Sequence, residues 1–428
     1  MKVCIFVTNE ATRDPRVSRH AETLGAIGHQ VLVVCPISNS LNWTEKRELY
    51  TIRRCKKYVS IRDLVRPRRE KGSVSPSSVT RHAEQSTKST KSFSRSFLTS
   101  AIQTFARFAV YPAYLTWTMW RIGKEYNAHV YLTNDLDTLL AGVLCAMASR
   151  TLVHDAHELW PDQFIGMEAY GPFAIAWLRM IEGLLLRRVN VIVTVNEFIA
   201  EELHKRYRVR KPRVVLNVPA LQHYERKRCR QRRRTSRRIA LYQGLFTYHR
   251  GLENLIHACR FLEHDVTLVL RGYGPNEHQL RELARPHKNC RFDGPVKMNE
   301  LISAAANTAD VGIVPYVPVN INNYFASPNK LFEYVQAGLP VVGSDLPFLR
   351  KIILGNKIGY VFNPQDPRSI AEAINAATRD GVLPTLRNNV LKIRRQYSWS
   401  EEQKKLIKIV QELAKPWDVR NEHSRNLY

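Results

Sequence analysis

Lys330 and Glu333 stand three residues apart in SPNKLFEY (327–334), where a helical pattern begins. Residues three apart share one face of a helix, so a simple ion pair is one reading. Asn329 and Lys330 also lie beside the positive end of the helix dipole, where a cation is unfavourable unless an anion binds. On this second reading Lys330 clamps a phosphate and Glu333 accepts from ribose hydroxyls. Both readings stand on these eight residues alone.

Three more stretches place chemistry at strand ends. YQGLFTYHRG (242–251) follows an apolar run; Gly244 lets backbone approach a ligand, and Arg250 precedes a helical pattern. A phosphate between that helix start and the guanidinium removes the conflict with the dipole, and an exposed arginine is the plainer alternative. RGYGPN (271–276) puts Gly272 and Gly274 at another strand-to-helix turn, without the G-x-G-x-x-G spacing of a dinucleotide site. VHDAHELWP (153–161) sets two histidines and two acids directly after a short strand. No third His or Cys lies at a usual ligand spacing, so a polar contact to substrate is preferred over a metal. His157 suits that role because imidazole can donate to a hydroxyl or stabilise developing charge.

The elements that must position these groups alternate along the chain. Strand-like runs at 3–8, 29–35, 129–132, 151–154 and 190–195 are interleaved with helical patterns near 16–27, from 135, and at 173–188. The pattern repeats with strands at 239–244, 266–272, 290–292, 311–315 and 340–343, and helices at 251–262, 275–285, 298–306 and 328–337. Such alternation predicts an α/β protein built from βαβ units with parallel sheets. Two successive sets predict two Rossmann-like, doubly wound domains, with ligands at the carboxyl ends of the strands. The first domain is expected over 1–221. ERKRCRQRRRTSRR (225–238) sits inside a basic linker at 222–238, and the second domain spans 239–398.

Composition is globular, with 44% hydrophobic and 24% charged residues. The net charge of +27 calls for an anionic partner, and both halves carry the excess. Seven dispersed cysteines without metal or paired spacing predict free thiols in a reducing compartment, hence a cytoplasmic protein. The opening MKVCIFVT reads as a first strand rather than a signal peptide. Residues 62–97 are rich in Ser, Thr, Lys and Arg and read as a flexible basic loop. They lead into an aromatic stretch, FARFAVYPAYLTWTMW (105–120), too short to span a bilayer. That helix either packs on the first sheet or lies with the basic loop on an anionic membrane surface.

SPNKLFEYVQAGLPVVGSDLP resembles the nucleotide-binding signature of family 4 glycosyltransferases, which have the GT-B fold. RDPRVSRHAETLGAIGHQVLVV, NDLDTLLAG, DAHELWP, TVNEFIAEEL, YQGLFTYHRGLENLI and GPV resemble other segments of the family in the same order, over nearly the whole chain apart from 40–97 and 222–238. The resemblance implies two Rossmann-like domains facing a central cleft, with a closing helix over 399–428 that returns to the first domain. It implies transfer of a sugar, with retention and without a metal, from a nucleotide-diphosphate sugar to a glycan or lipid-linked acceptor in polysaccharide or glycan biosynthesis. No cofactor beyond the donor substrate is implied. Arg250 and Lys330 would hold the diphosphate, with Asn329 beside Lys330 and Gly244 beneath the donor. Glu333 would accept from the ribose, and Gly272, Gly274 and Val296 would lie near the base. His157 would sit by the transferred sugar, with Asp155 its neighbour. Arg13 and Asp14 would face the acceptor.

The sequence departs from the family pattern at two places. Phe325 stands where many members carry a second glutamate, and Leu245 where an arginine often follows the glycine. The triplet DLD (135–137) reads as a helix opening rather than a metal motif. Other classes stay open on these residues: a nucleotide-sugar epimerase of the same fold, a catalytically inactive partner subunit, and a nucleic-acid-binding protein. No nucleic-acid module accompanies the basic run, so no nucleic-acid partner is expected. The basic surface suits a peripheral enzyme on the inner face of the membrane.

Overall fold

The run VCIFV is buried at every position, as a central strand of a parallel sheet must be when both faces are covered. The computed structural model describes residues 1–11, 14–37, 42–56, 111–147, 150–165, 171–221 and 237–425. The basic loop expected at 62–97, most of the linker at 222–238, the start of the aromatic stretch and Arg13 lie outside them. The chain divides into two compact units, Met1–Leu152 and Val153–Tyr428.

In the first unit, β1 (Lys2–Phe6) lies between β2 (Gln30–Pro36) and β5 (Val130–Asn134), parallel to both. β4 (Thr51–Cys55) adds in parallel beyond β2, and β3 (Thr44–Lys46) pairs antiparallel at its edge. Neither was legible as a strand, because TEK and TIRRC carry charge. Arg54 is buried and holds Glu45 across the pair at 2.6 Å. The helices of this unit are α1 (Pro15–Ala26), α2 (Tyr111–Tyr126) and α3 (Leu136–Ala146). Asp135 stands at the N-cap of α3, so DLD does open a helix.

β6 (Thr151–Ala156), which straddles the boundary, is followed by β7 (Val191–Thr194) and β8 (Arg213–Val214), paired in parallel in that order. Between them run α4 (Pro172–Leu186) and α5 (Glu197–Tyr207). A six-stranded parallel sheet follows, made of β9 (Arg238–Leu245), β10 (Val266–Tyr273), β11 (Cys290–Asp293), β12 (Val311–Val314), β13 (Val341–Ser344) and β14 (Gly359–Phe362). Its spatial order is β11-β10-β9-β12-β13-β14, so the winding reverses between β9 and β12. Ligands of doubly wound sheets bind at that reversal, outside the carboxyl ends of the strands. Tyr242, Phe246, Leu255, Leu268, Ile313 and Ile374 are among the fully buried residues of one core against this sheet.

The helices of this half are α6 (Leu252–His257), α7 (Glu277–Ala284), α8 (Leu301–Thr308), α9 (Ile321–Tyr324), α10 (Asn329–Gln336), α11 (Pro347–Gly355), α12 (Pro367–Thr378), α13 (Leu383–Ile393) and α14 (Trp399–Arg425). The helix expected over 251–262 is shorter, ending at His257 and tightening into a 3-10 turn at Ala258–Phe261. α14 ties back to the stretch around β8. The Leu216 N–H donates to Glu402 at 2.9 Å, and the Trp399 N–H to the Pro219 carbonyl at 2.9 Å.

Candidate functional site

Tyr334 on α10 keeps β9 and β12 apart. The two strands pair only at Val311–Ala240 and Gly312–Leu241. Beyond that point the Tyr334 hydroxyl accepts from the Gln243 N–H at 2.9 Å and donates to the Leu241 carbonyl at 3.0 Å. It satisfies backbone groups that a continued ladder would otherwise take. The ring lies on Gly312, where a Cβ would approach its Cγ to 2.3 Å. The β9–β12 ladder therefore stops short at the winding reversal, where Tyr334 of α10 packs against it.

Lys330 is one turn earlier on the same face of α10. Its side chain crosses Gly244 at the end of β9, where an added Cβ would stand 2.6 Å from Cε and 2.8 Å from Nζ. Gly244 has φ +149°, and its sheet partner Gly272 has φ +151°. A Cβ at Gly272 would meet the Gly244 carbonyl oxygen at 1.9 Å. The two glycines thus keep the adjoining ends of β9 and β10 bare, and the lysine lies over that bare backbone.

Arg250 joins the cluster from the loop after β9. Its Cζ lies 4.5 Å from the centroid of the Tyr316 ring, and Lys330 Nζ lies 5.8 Å from the same ring and 5.1 Å from Tyr242. Two like charges share an aromatic platform. Burial, and then Arg250, push the Lys330 ammonium down from 10.5 to about 8, while Glu333 pulls the other way. Burial chiefly raises Tyr316, with Glu158 and Glu333 adding to the effect and Arg250 opposing it. Two cations held close at such a cost make a seat for an anion, with Glu333 one turn along the helix.

The loop after β6 forms a second part. Asp155 is fully buried, and His157 Nε2 lies 3.2 Å from its Oδ2, with the imidazole 21% exposed. That contact to a buried carboxylate orients the ring. Asn322 on α9 fixes the loop by accepting from the Leu159 N–H at 2.9 Å and donating to Glu158 at 3.0 Å. Phe325 stacks on Phe198 with centroids 5.9 Å apart, and its carbonyl accepts from Asn196 at 2.8 Å. Its ring therefore takes part in packing between α5 and the segment leading to α10.

Among the expected site residues, Lys330, Arg250, Gly244, Gly272 and Glu333 belong to one neighbourhood. Gly274 packs on the Phe246 backbone, where a Cβ would come within 2.3 Å of the carbonyl oxygen. Val296 follows the edge strand β11, and Asn329 is exposed as the first residue of α10. Asp14 lies in the first unit, where it caps α1 by accepting from the Arg16 and Val17 N–H groups. Sequence reading missed Tyr316, Tyr334 and Asn322. Each has a signal in hindsight: Tyr316 falls two residues past a strand end, Tyr334 one turn after Lys330, and Asn322 in the polar NINNY run. Among the described residues, no group of three or more His, Cys, Asp or Glu could hold a metal.

Comparison with known proteins agrees with this geometry. The model described as glycosyl transferase 4-like domain matches residues 14–219, and that described as glycosyl transferases group 1 matches 237–380. An uncharacterised glycosyltransferase of Methanocaldococcus jannaschii is 30% identical over 182 residues, 40% of this chain and 44% of that protein. A phosphatidyl-myo-inositol mannosyltransferase of Mycobacterium leprae is 28% identical over 159 residues, 35% and 39% of the two chains. The alignments thus span less than half the length of these curated relatives. The structure of HepE from Anabaena, in complex with UDP-glucose, superposes with a TM-score of 0.64 over 96% of this chain and 100% of that one, at 12% identity. The fold is GT-B, and the chain belongs to family 4 of the glycosyltransferases.

Proposed function

We propose that the protein transfers a hexosyl group from a nucleotide-diphosphate sugar to a saccharide or lipid-linked acceptor in glycan assembly, with retention at the anomeric carbon. The observation that carries this reading is the meeting of Lys330 and Arg250 on Tyr316, at the reversal of the second sheet. Two adjacent cations suit a diphosphate better than a monoanion. The UDP-glucose bound by HepE and the mannosyl transfer named for the mycobacterial relative support a nucleotide-sugar donor of this kind.

In this reaction the anomeric C–O bond to the diphosphate breaks as the acceptor oxygen bonds to the same carbon. The acceptor hydroxyl proton passes to a leaving phosphate oxygen. Charge builds on the diphosphate, and fixed cations there lower the barrier because they need not reorganise. Lys330 and Arg250 take that role, Glu333 accepts from the ribose, and His157, held by Asp155, contacts the transferred sugar. Gly272, Gly274 and Val296 border the base, Asn329 adjoins the phosphates, and Arg13 and Asp14 are assigned to the acceptor side. The chain needs no metal in this scheme. The charge of +27 supports action as a peripheral protein on an anionic, cytoplasmic membrane face, where a lipid-linked acceptor would be met.

A thermal-shift screen with UDP, GDP, dTDP and ADP tests the donor reading. One nucleotide should raise the melting temperature, since a ligand that binds only the native state stabilises it by RT ln(1 + [L]/Kd). Lys330→Ala should abolish that shift and cut turnover by roughly 100-fold, the scale on which losing one oxyanion donor acts. No shift with any nucleotide, or full turnover by Lys330→Ala, rejects the assignment.

A further inference from the structure

α4 is apolar on two sides, and one of them is exposed. Its exposed face carries Phe173, Trp177, Met180 and Leu184, with exposures of 92%, 60%, 47% and 55%. The spacing of four, three and four residues puts all of them on one side of the helix. Exposed Ala176 lies beside them. The charged residues of the helix point the other way. Glu182 is buried and accepts from the Tyr207 hydroxyl, and Arg179 donates to the fully buried Asp162 at 2.6 Å. Arg206 on α5 also pairs with Asp162, and Gly183 lets the Tyr207 ring approach to 2.8 Å of where a Cβ would stand. Ile175 and Leu186 are buried on that side with Glu182, so the helix is anchored there and a second apolar side is left exposed. Water gives no reason for that arrangement; a contiguous exposed apolar patch marks an interaction surface.

The charges around the stripe say what covers it. Arg187 and Arg188 follow the last turn of α4 and are exposed, as is Arg208 at the end of α5. Arg179, Arg187, Arg206 and Arg208, with Met180 and Leu184, line a cleft of about 420 Å³ beside the stripe. An apolar face next to an arginine-lined cleft complements a layer whose interior is hydrocarbon and whose surface is phosphate. Trp177 is a residue type that favours this boundary, and arginine stems can lie along apolar surface while their heads meet phosphate. A second copy of the chain is a poorer occupant, because pairing two molecules of charge +27 through an arginine-rimmed patch adds like-charge repulsion.

We propose that the α4 face, Phe173 to Leu184 with the Arg187, Arg188 and Arg208 rim, is the surface by which the protein docks on an anionic phospholipid bilayer. This rests on the membrane-face reading above and assigns it to one element, distinct from the aromatic stretch at 105–120. The docking is interfacial: a helix of 15 residues is only about 22 Å long and lies in the plane of the headgroups.

Sedimentation of the full chain with vesicles tests it, comparing phosphatidylcholine alone with phosphatidylcholine mixed with phosphatidylglycerol. The protein should bind the mixed vesicles and lose affinity as salt rises. Phe173→Ser with Trp177→Ser should weaken binding by about tenfold or more, since insertion follows apolar area. Arg187→Ala, Arg188→Ala and Arg208→Ala together should weaken it and flatten the salt dependence. An unchanged nucleotide-induced thermal shift shows that these variants are folded. Trp177→Phe should keep binding but lose part of the fluorescence quenching by brominated lipids. Wild type that ignores both vesicles overturns this assignment and the membrane-face reading together. Wild type that binds, with α4 variants binding equally, overturns the assignment alone. A dimer that the serine variant splits overturns it in favour of a second copy.

Discussion

Lys330 occupies the space that a side chain on Gly244 would need: a Cβ there would stand 2.6 Å from the lysine Cε. One position supplies the cation and the other the room for it. Gly244→Ala should therefore act as a probe of the cation. Backbone strain at φ +149° costs about 1–3 kcal/mol in stability, a few degrees in melting temperature. The displaced ammonium should also cost roughly tenfold in nucleotide affinity, measured by titration calorimetry. An alanine variant that melts lower but binds as wild type would show that the placement of Lys330 over Gly244 is immaterial to the ligand.

The lowered Lys330 titration has a consequence for binding. With its pKa near 8, the group is charged below that pH and loses its charge above it. A nucleoside diphosphate has finished ionising well below pH 8, its last phosphate step lying at roughly pH 6. Its charge beside Lys330 favours the ammonium and raises that pKa in the complex. Binding at about pH 8–9 should then take up a proton, and affinity should fall as pH rises through about 8. Calorimetry in two buffers of different ionisation enthalpy measures the uptake. Lys330→Arg stays charged and should remove both effects; proton release instead of uptake would contradict the assignment.

Tyr316 offers its ring to Arg250 and Lys330 and so offsets part of their repulsion. Tyr316→Phe keeps the face and removes only the hydroxyl. Tyr316→Leu removes the π-system, worth about 0.5–2 kcal/mol for a partly desolvated cation. Nucleotide affinity should therefore rank wild type, phenylalanine, leucine, with the larger step at leucine. Equal losses in the two variants would point to the hydroxyl instead.

Much of this arrangement could be read in the sequence because it rests on simple signals. The central strands are apolar runs, and glycines, Lys330 and Arg250 fall where those runs end. β3 and β4 could not be read, since charged residues such as the paired Arg54 and Glu45 make these strands look polar. The aromatic supports were hidden for a different reason. Tyr316 and Tyr334 look like core residues in a linear pattern, and Tyr334 is fully buried. Their roles depend on which backbone groups and cations the fold brings against them. Phe325 is similar: its identity is plain, but its stacking on Phe198 is a tertiary fact.

Tyr334 gives the most demanding test, because its hydroxyl ties the end of β9 to the helix that carries Lys330. Tyr334→Phe keeps the ring on Gly312 but takes the hydroxyl from the Gln243 N–H and the Leu241 carbonyl. Leaving a buried backbone group without that partner costs about 1–3 kcal/mol, which denaturant unfolding resolves. The strand ends are then free to close toward each other, and α10 loses an anchor one turn from Lys330. Nucleotide affinity should fall by about tenfold at a temperature where the variant is still folded. Tyr334→Leu should be worse on both counts, since it also leaves a cavity over Gly312. If Tyr334→Phe loses stability yet binds nucleotide as wild type does, the hydroxyl is a brace for the sheet alone, and the position of Lys330 is set by the packing of α10.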